Sequence, residues 1–149
     1  MDDGPVLAQV NLVVASTAAA VEFYGLLGVP MPELDESSTD HLELPVLAAP
    51  NLSIELDSAA SARIWNASWR SEKGGTAVVL GFSLPTRAAV DTTYTAVTAA
   101  GHPGVQPPFD AFWGSRYAIV ADPDGNQVGL MSPADQERTA WPAPESPDP

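Results

Sequence analysis

The stretch Trp113–Pro133, WGSRYAIVADPDGNQVGLMSP, decides the fold. Arg116–Ala121 is dense in strand-forming residues, and Gln127–Met131 is a second such run. Between them lies Asp122-Pro123-Asp124-Gly125. Pro123 pre-sets φ, aspartate side chains bond nearby backbone N–H groups, and Gly125 supplies a positive φ. The segment reads as a β-hairpin.

Upstream, Val105–Phe112 reads as an irregular strand interrupted by Pro107-Pro108. Thr86 caps a helix with Val90, Tyr94 and Val97 on one face, ending at Gly101. Thr76–Leu84 is a strand, so the second half is β-α-β-β-β. The first half repeats this. Val6–Val14 is a β-branched strand, and Ser16 caps a helix with Ala20, Val21, Tyr24 and Leu27 at helical spacing. Gly28 fits the position after that helix. Val29–Leu34 is expected as a short edge strand, because Pro30 and Pro32 exclude a central one. His41–Leu47 and Leu52–Asp57 are two further strands, turning at Ala49-Pro50-Asn51.

The helices of the two halves match by position. Ser16 and Thr86, Ala20 and Val90, Tyr24 and Tyr94, and Leu27 and Val97 share one offset of 70 residues. A repeated supersecondary unit constrains architecture more than any single motif does. The expected fold is α+β, with two tandem βαβββ modules at residues 6–57 and 76–131 in one domain spanning 1–132. The linker 58–75 carries Trp65 and Trp69 at i, i+4, read as the aromatic face of one short helix. The tail 133–149 is rich in Pro, Ala and acids and is expected to be disordered.

Composition narrows the function. The chain has 149 residues and a hydrophobic fraction of 45%, enough for a real core. No apolar run is long enough for a transmembrane helix, and MDDGPV lacks the features of a signal peptide, so a cytoplasmic location is expected. With no cysteine, disulfides and thiolate metal sites are excluded. A formal net charge of −13 argues against nucleic acid and fits a cationic partner, although surplus carboxylates also serve solubility. No serine-nucleophile motif, phosphate-cradling loop or dinucleotide fingerprint is present.

Strand alternation assigns the faces. Val10, Leu12 and Val14 oppose Gln9, Asn11 and Val13; Leu52, Ile54 and Leu56 oppose Ser53, Glu55 and Asp57; Leu80, Phe82 and Leu84 oppose Val79, Gly81 and Ser83. The apolar sets are expected beneath the helices.

Trp113-Gly114, the strand, the Asp-Pro-Asp-Gly-Asn turn and the last strand, together with the paired modules over residues 6–132, resemble the vicinal oxygen chelate superfamily of glyoxalases, extradiol dioxygenases and bleomycin-resistance proteins. The resemblance implies that the modules curve into a half-barrel whose cavity is lined by the mixed faces. It also implies a metal held by one residue from the first and fourth strand of each module. Those positions fall on Gln9, Glu55, Val79 and Gly129. Val79 and Gly129 offer no side-chain donor, and a catalytic site needs about three protein ligands. Neither His41 nor His102 maps to a ligand position, and each reads as an ordinary surface histidine. Asp57 lies one strand step from Glu55 and is the nearest substitute.

The expected site is therefore a ligand cavity without metal or other cofactor. Gln9, Asn11, Ser53, Glu55 and Ser83 are its polar groups, and Val79, Gly81 and Gly129 leave room. Trp65, Trp69, Phe109, Phe112, Trp113 and Tyr117 are available as an aromatic wall, with Trp113 also read as packing. Three functions stay open. One is a metal-free binder of an aromatic, cationic, antibiotic-type small molecule, dimeric as the resemblance implies. The second is a metal-dependent isomerase, lyase or dioxygenase. The third is a metal-free enzyme using Glu55 as base, which the sequence does not separate from the first.

Overall fold

A computed structural model describes residues 7–44, 52–66, 69 and 78–140. The chain divides into two compact units, Met1–Glu72 and Lys73–Pro149. The fold is α+β, with, among the described residues, a three-stranded sheet, a four-stranded sheet and three α-helices.

In the first unit, β1 (Gln9–Val13) leads into α1 (Thr17–Leu26), followed by β2 (His41–Leu44), β3 (Ser53–Asp57) and α2 (Ala59–Trp65). The strand order is β1-β3-β2, with β1 parallel and β2 antiparallel to β3. Ser16 starts α1 as its side chain accepts from the Ala19 N–H at 3.2 Å. Phe23 and Tyr24 of α1 are fully buried and meet edge to face, 5.0 Å between centroids. Leu12, Leu44, Ile54 and Leu56 are buried with them. Each such side chain contributes about 1.5–3 kcal/mol of burial free energy. The opposite face carries Asn11, Glu55 and Glu43 in one row and Val13, Asp57 and His41 in the next.

In the second unit, β4 (Val79–Ser83) leads into α3 (Arg87–Ala99), then β5 (Gly104–Asp110), β6 (Arg116–Ala121) and β7 (Gln127–Met131). The order is β4-β7-β6-β5, with β4 parallel to β7 and the other pairs antiparallel. Val90 and Val97 of α3 are fully buried, as are Ala118, Val120, Val128 and Leu130 of the sheet. The hairpin follows its turn chemistry. Asp122 accepts through Oδ1 from the N–H groups of Asp124 and Asn126, at 2.9 and 2.8 Å, and Gly125 has φ 82°. The β5–β6 register shifts on either side of Gln106, as expected where Pro107 and Pro108 donate nothing to the ladder.

The repeat is visible in the topology. Thr86 caps α3 as Ser16 caps α1, accepting from the Ala89 N–H at 3.0 Å. In both sheets the strand before the helix pairs in parallel with the last strand, and that last strand pairs in antiparallel with the one before it. The second unit adds β5 at its edge. Its counterpart, expected over Val29–Leu34, is absent: that segment forms no strand. Pro30 and Pro32 remove two backbone donors from a run of six residues. The chain instead enters a 3-10 turn, Glu36–Thr39, capped by the Asp35 side chain.

One other expectation needs adjustment. Trp65 and Trp69 do not share a helix. Helix α2 ends at Trp65, because Asn66 is extended at φ −141°, ψ 90°. The tail expected to be disordered begins with a 3-10 turn, Gln136–Arg138, and the Ala140 N–H donates to the Phe112 carbonyl at 2.8 Å. The turn at Ala49-Pro50-Asn51 and most of the second half of the linker lie outside the described residues. Among the described residues, no helix is long and apolar enough to cross a membrane.

Candidate functional site

The open face of the first sheet, with α2 beside it, forms a pocket of about 410 Å3 lined by Gln9, Asn11, His41, Glu55, Asp57, Ser61 and Trp65. Small-molecule sites are roughly 300–1,000 Å3. Strand alternation brings Gln9 and Asn11 of β1, Glu55 and Asp57 of β3 and His41 of β2 onto one face, and α2 brings Ser61 and Trp65. Trp65 is half exposed.

Asp57 is the centre of this pocket. It is 2% exposed. Its Oδ2 accepts from Asn11 Nδ2 at 2.9 Å, and its Oδ1 accepts from Ser61 Oγ at 3.1 Å and lies 2.9 Å from His41 Nδ1. Burial alone would raise its pKa. The hydrogen bonds from Asn11, His41 and Ser61, with the attraction of His41, outweigh that and hold the carboxyl below its ordinary value. Gln9 Nε2 donates to Asn11 Oδ1 at 2.9 Å and so orients the asparagine. Glu55 Oε1 lies 3.5 Å from His41 Nε2. The carboxylate of Glu55 is mostly covered, with 17% of its side chain exposed, whereas half of the His41 side chain is open to solvent.

Of the expected residues, Gln9, Asn11, Glu55 and Trp65 thus line one pocket. His41, read above as an ordinary surface histidine, instead joins the site, and Ser61 was not anticipated at all. The signal for His41 was register: a hairpin centred on Ala49 pairs residue 41 with residue 57, as the strands do. Ser53 shares the face but does not line the pocket. Trp69 lies outside it, with the Arg63 guanidinium 5.2 Å above its ring.

The remaining expected residues belong to the second unit. Val79, Gly81 and Ser83 are exposed along β4, and a Cβ at Gly81 would meet nothing within 4 Å. Phe109, Trp113 and Tyr117 form a chain of edge-to-face contacts. Phe109–Tyr117 is 6.1 Å and Trp113–Tyr117 is 5.2 Å between centroids, with Phe112 at 5.1 Å from Trp113. Tyr117 lies over Gly129, where a Cβ would come within 2.7 Å of its hydroxyl oxygen.

The metal that the resemblance implies does not fit these residues. Val79 and Gly129 have no donor side chain, and Tyr117 fills the space a longer residue at 129 would enter. Among the described residues, no group of three or more His, Cys, Asp or Glu is arranged to hold a metal ion.

Comparison with known proteins is consistent with this architecture. Residues 6–130 match the family model described as the Glyoxalase/Bleomycin resistance protein/Dioxygenase superfamily. Among solved structures, a glyoxalase-related enzyme from Fulvimarina pelagi is similar at TM-score 0.72 and 16% identity, over 86% of this chain and 88% of that one. A glyoxalase/bleomycin resistance protein/dioxygenase family enzyme from Burkholderia phytofirmans is similar at TM-score 0.68 and 22% identity, over 84% and 96%. A glyoxalase/bleomycin resistance protein/dioxygenase from Nocardioides is similar at TM-score 0.67 and 21% identity, over 98% and 93%. No curated protein matches the chain.

Proposed function

We propose, from the premise that the chain belongs to the glyoxalase/bleomycin resistance protein/dioxygenase superfamily, that it binds a small aromatic cation without metal and without transforming it. The observation that carries this reading is the pocket on the first sheet. Among the described residues, its lining contains two carboxylates, both mostly covered, and no lysine or arginine. Glu43 and Glu55 are directly opposite on adjacent strands. Like charges so placed repel, and a cation between or beside them relieves the repulsion. The net charge of −13 adds a long-range attraction for cations.

Among the described residues, the lining is more polar than a typical ligand site, with Trp65 as a large apolar surface. Recognition therefore rests on hydrogen bonds and charge, with Trp65 supplying a stacking face. A cation on a tryptophan gains roughly 0.5–2 kcal/mol. The absence of a competent donor set at Gln9, Glu55, Val79 and Gly129 favours metal-free binding over the metal-enzyme alternative. An antibiotic-type ligand and a homodimer belong to the same proposal and rest on the family resemblance; a cytoplasmic location belongs to it as the default for a chain without cysteine.

The test is a tryptophan fluorescence titration with planar aryl cations and their neutral isosteres, followed by mass analysis of the recovered compound. Cations are expected to bind more tightly, and Glu55→Gln to weaken them more than the neutral analogues. Equal binding of both classes rules out the cation reading, and a changed mass of the recovered compound shows an enzyme.

A further inference from the structure

The hydrogen bonding of His41 narrows the ligand further, given that the pocket binds a cation as proposed above. His41 Nδ1 faces an aspartate oxygen at 2.9 Å. Asp57 is a poor place for a proton, since Asn11 and Ser61 already donate to it. The hydrogen on the His41–Asp57 contact therefore resides on Nδ1. In a neutral imidazole this leaves Nε2 with a bare lone pair. The Nε2 atom lies 3.5 Å from Glu55 Oε1, which is also an acceptor. With the imidazole neutral, these two acceptors have no donor between them. Hydrogen bonds of about 2.7–3.2 Å reach both atoms from a single nitrogen, or from the two arms of a planar fork, placed at the pocket mouth.

We infer that the Glu55–His41 pair reads N–H groups, so that the pocket selects cations carrying N–H donors, such as primary ammonium, amidinium and guanidinium, over quaternary ammonium. Asp57 acts through His41 by holding its tautomer, and Asn11 and Ser61 hold Asp57. Trp65 then contacts the aryl part of the ligand. A quaternary ammonium carries the same charge and stacks equally well, but it leaves both acceptors unpaired, which costs more than the lost hydrogen bonds alone.

Calorimetric titration of the full chain at about pH 8 separates the possibilities. The probes are benzamidinium, benzylammonium, benzyltrimethylammonium and neutral benzamide. The first two are expected to bind at least about tenfold more tightly than benzyltrimethylammonium, or about 1.4 kcal/mol. In His41→Phe that preference is expected to shrink while the preference for cation over benzamide persists. Equal or tighter binding of the trimethyl compound overturns the inference while leaving the cation-binding reading intact. Benzamide binding as well as the cations overturns that reading itself. The wild-type series decides the matter even if His41→Phe does not fold.

Discussion

Tyr117 stands where a side chain at Gly129 would have to go: a Cβ at position 129 would lie 2.7 Å from the Tyr117 hydroxyl oxygen and 3.1 Å from the nearer ring carbon. The tyrosine ring meets Phe109 and Trp113 edge to face, contacts that moving aside would give up. Gly129→Ala should therefore cost about 1–3 kcal/mol, the usual penalty of overpacking. In a Tyr117→Phe background the closest contact is gone and part of that cost should be recovered. Urea denaturation of the two single variants and the double variant measures the coupling. A Gly129→Ala protein as stable as the wild type would show that the tyrosine yields easily.

The same contact bears on metal. Gly129→Glu restores the family's acidic residue in name, but the new side chain meets Tyr117 before it reaches the open face. We expect well under one equivalent of any transition metal in protein purified without chelator, and no gain in Gly129→Glu. Elemental analysis checks both. A near-stoichiometric metal that disappears in Glu55→Ala would return the protein to the metal-dependent class.

The parts of the fold that were legible in the sequence are those where local chemistry and pattern agree. Ser16 and Thr86 cap helices at equivalent places, and the Asp122–Gly125 turn joins two strands with the predicted limits. Val29–Leu34 was misread because its composition permits an extended chain, while pairing also needs the donors that Pro30 and Pro32 lack. The site was half legible. Gln9, Asn11 and Glu55 follow from alternation along single strands. His41 depends on the register between two strands, and Ser61 on where α2 packs, neither of which residue type alone reveals. The obstruction at Gly129 was legible only as a missing donor; its cause, Tyr117, needs the β6–β7 pairing.

Asp57 makes acid stability a test of the hydrogen-bonded centre. Its folded pKa lies below its ordinary value, so the folded state binds fewer protons than the unfolded state as pH falls. Its contribution is thus fully present above the unfolded value of about 3.9 and is lost as pH drops through the folded one. Asp57→Asn should be less stable near neutrality by about 1–3 kcal/mol, because a buried acceptor facing three donors is replaced by a group that also donates. The gap from wild type should narrow below about pH 4. Urea midpoints measured from neutral to acid pH test this; a gap that stays constant would mean that the charge of Asp57 contributes nothing.

Trp65 supplies the last prediction, and it separates the pocket from the rest of the chain. Of the four tryptophans in the sequence, Trp65 lines the pocket, whereas Trp69 lies under Arg63 and Trp113 packs against Phe112 and Tyr117. Trp65 is 52% exposed, so a ligand stacking on it removes water from an indole face that is now wet. Binding should shift its emission to the blue or quench it. In Trp65→Leu that spectral change should vanish, and calorimetric affinity for an aryl cation should fall by about 0.5–2 kcal/mol, the range for a cation on an indole. Trp69→Leu should keep both signal and affinity near wild type. Stability should change little in Trp65→Leu, since the side chain sits in the last turn of α2 and buries only half its surface. If the emission change instead follows Trp113, the ligand lies in the second unit, and the pocket around Asp57 is not the binding site.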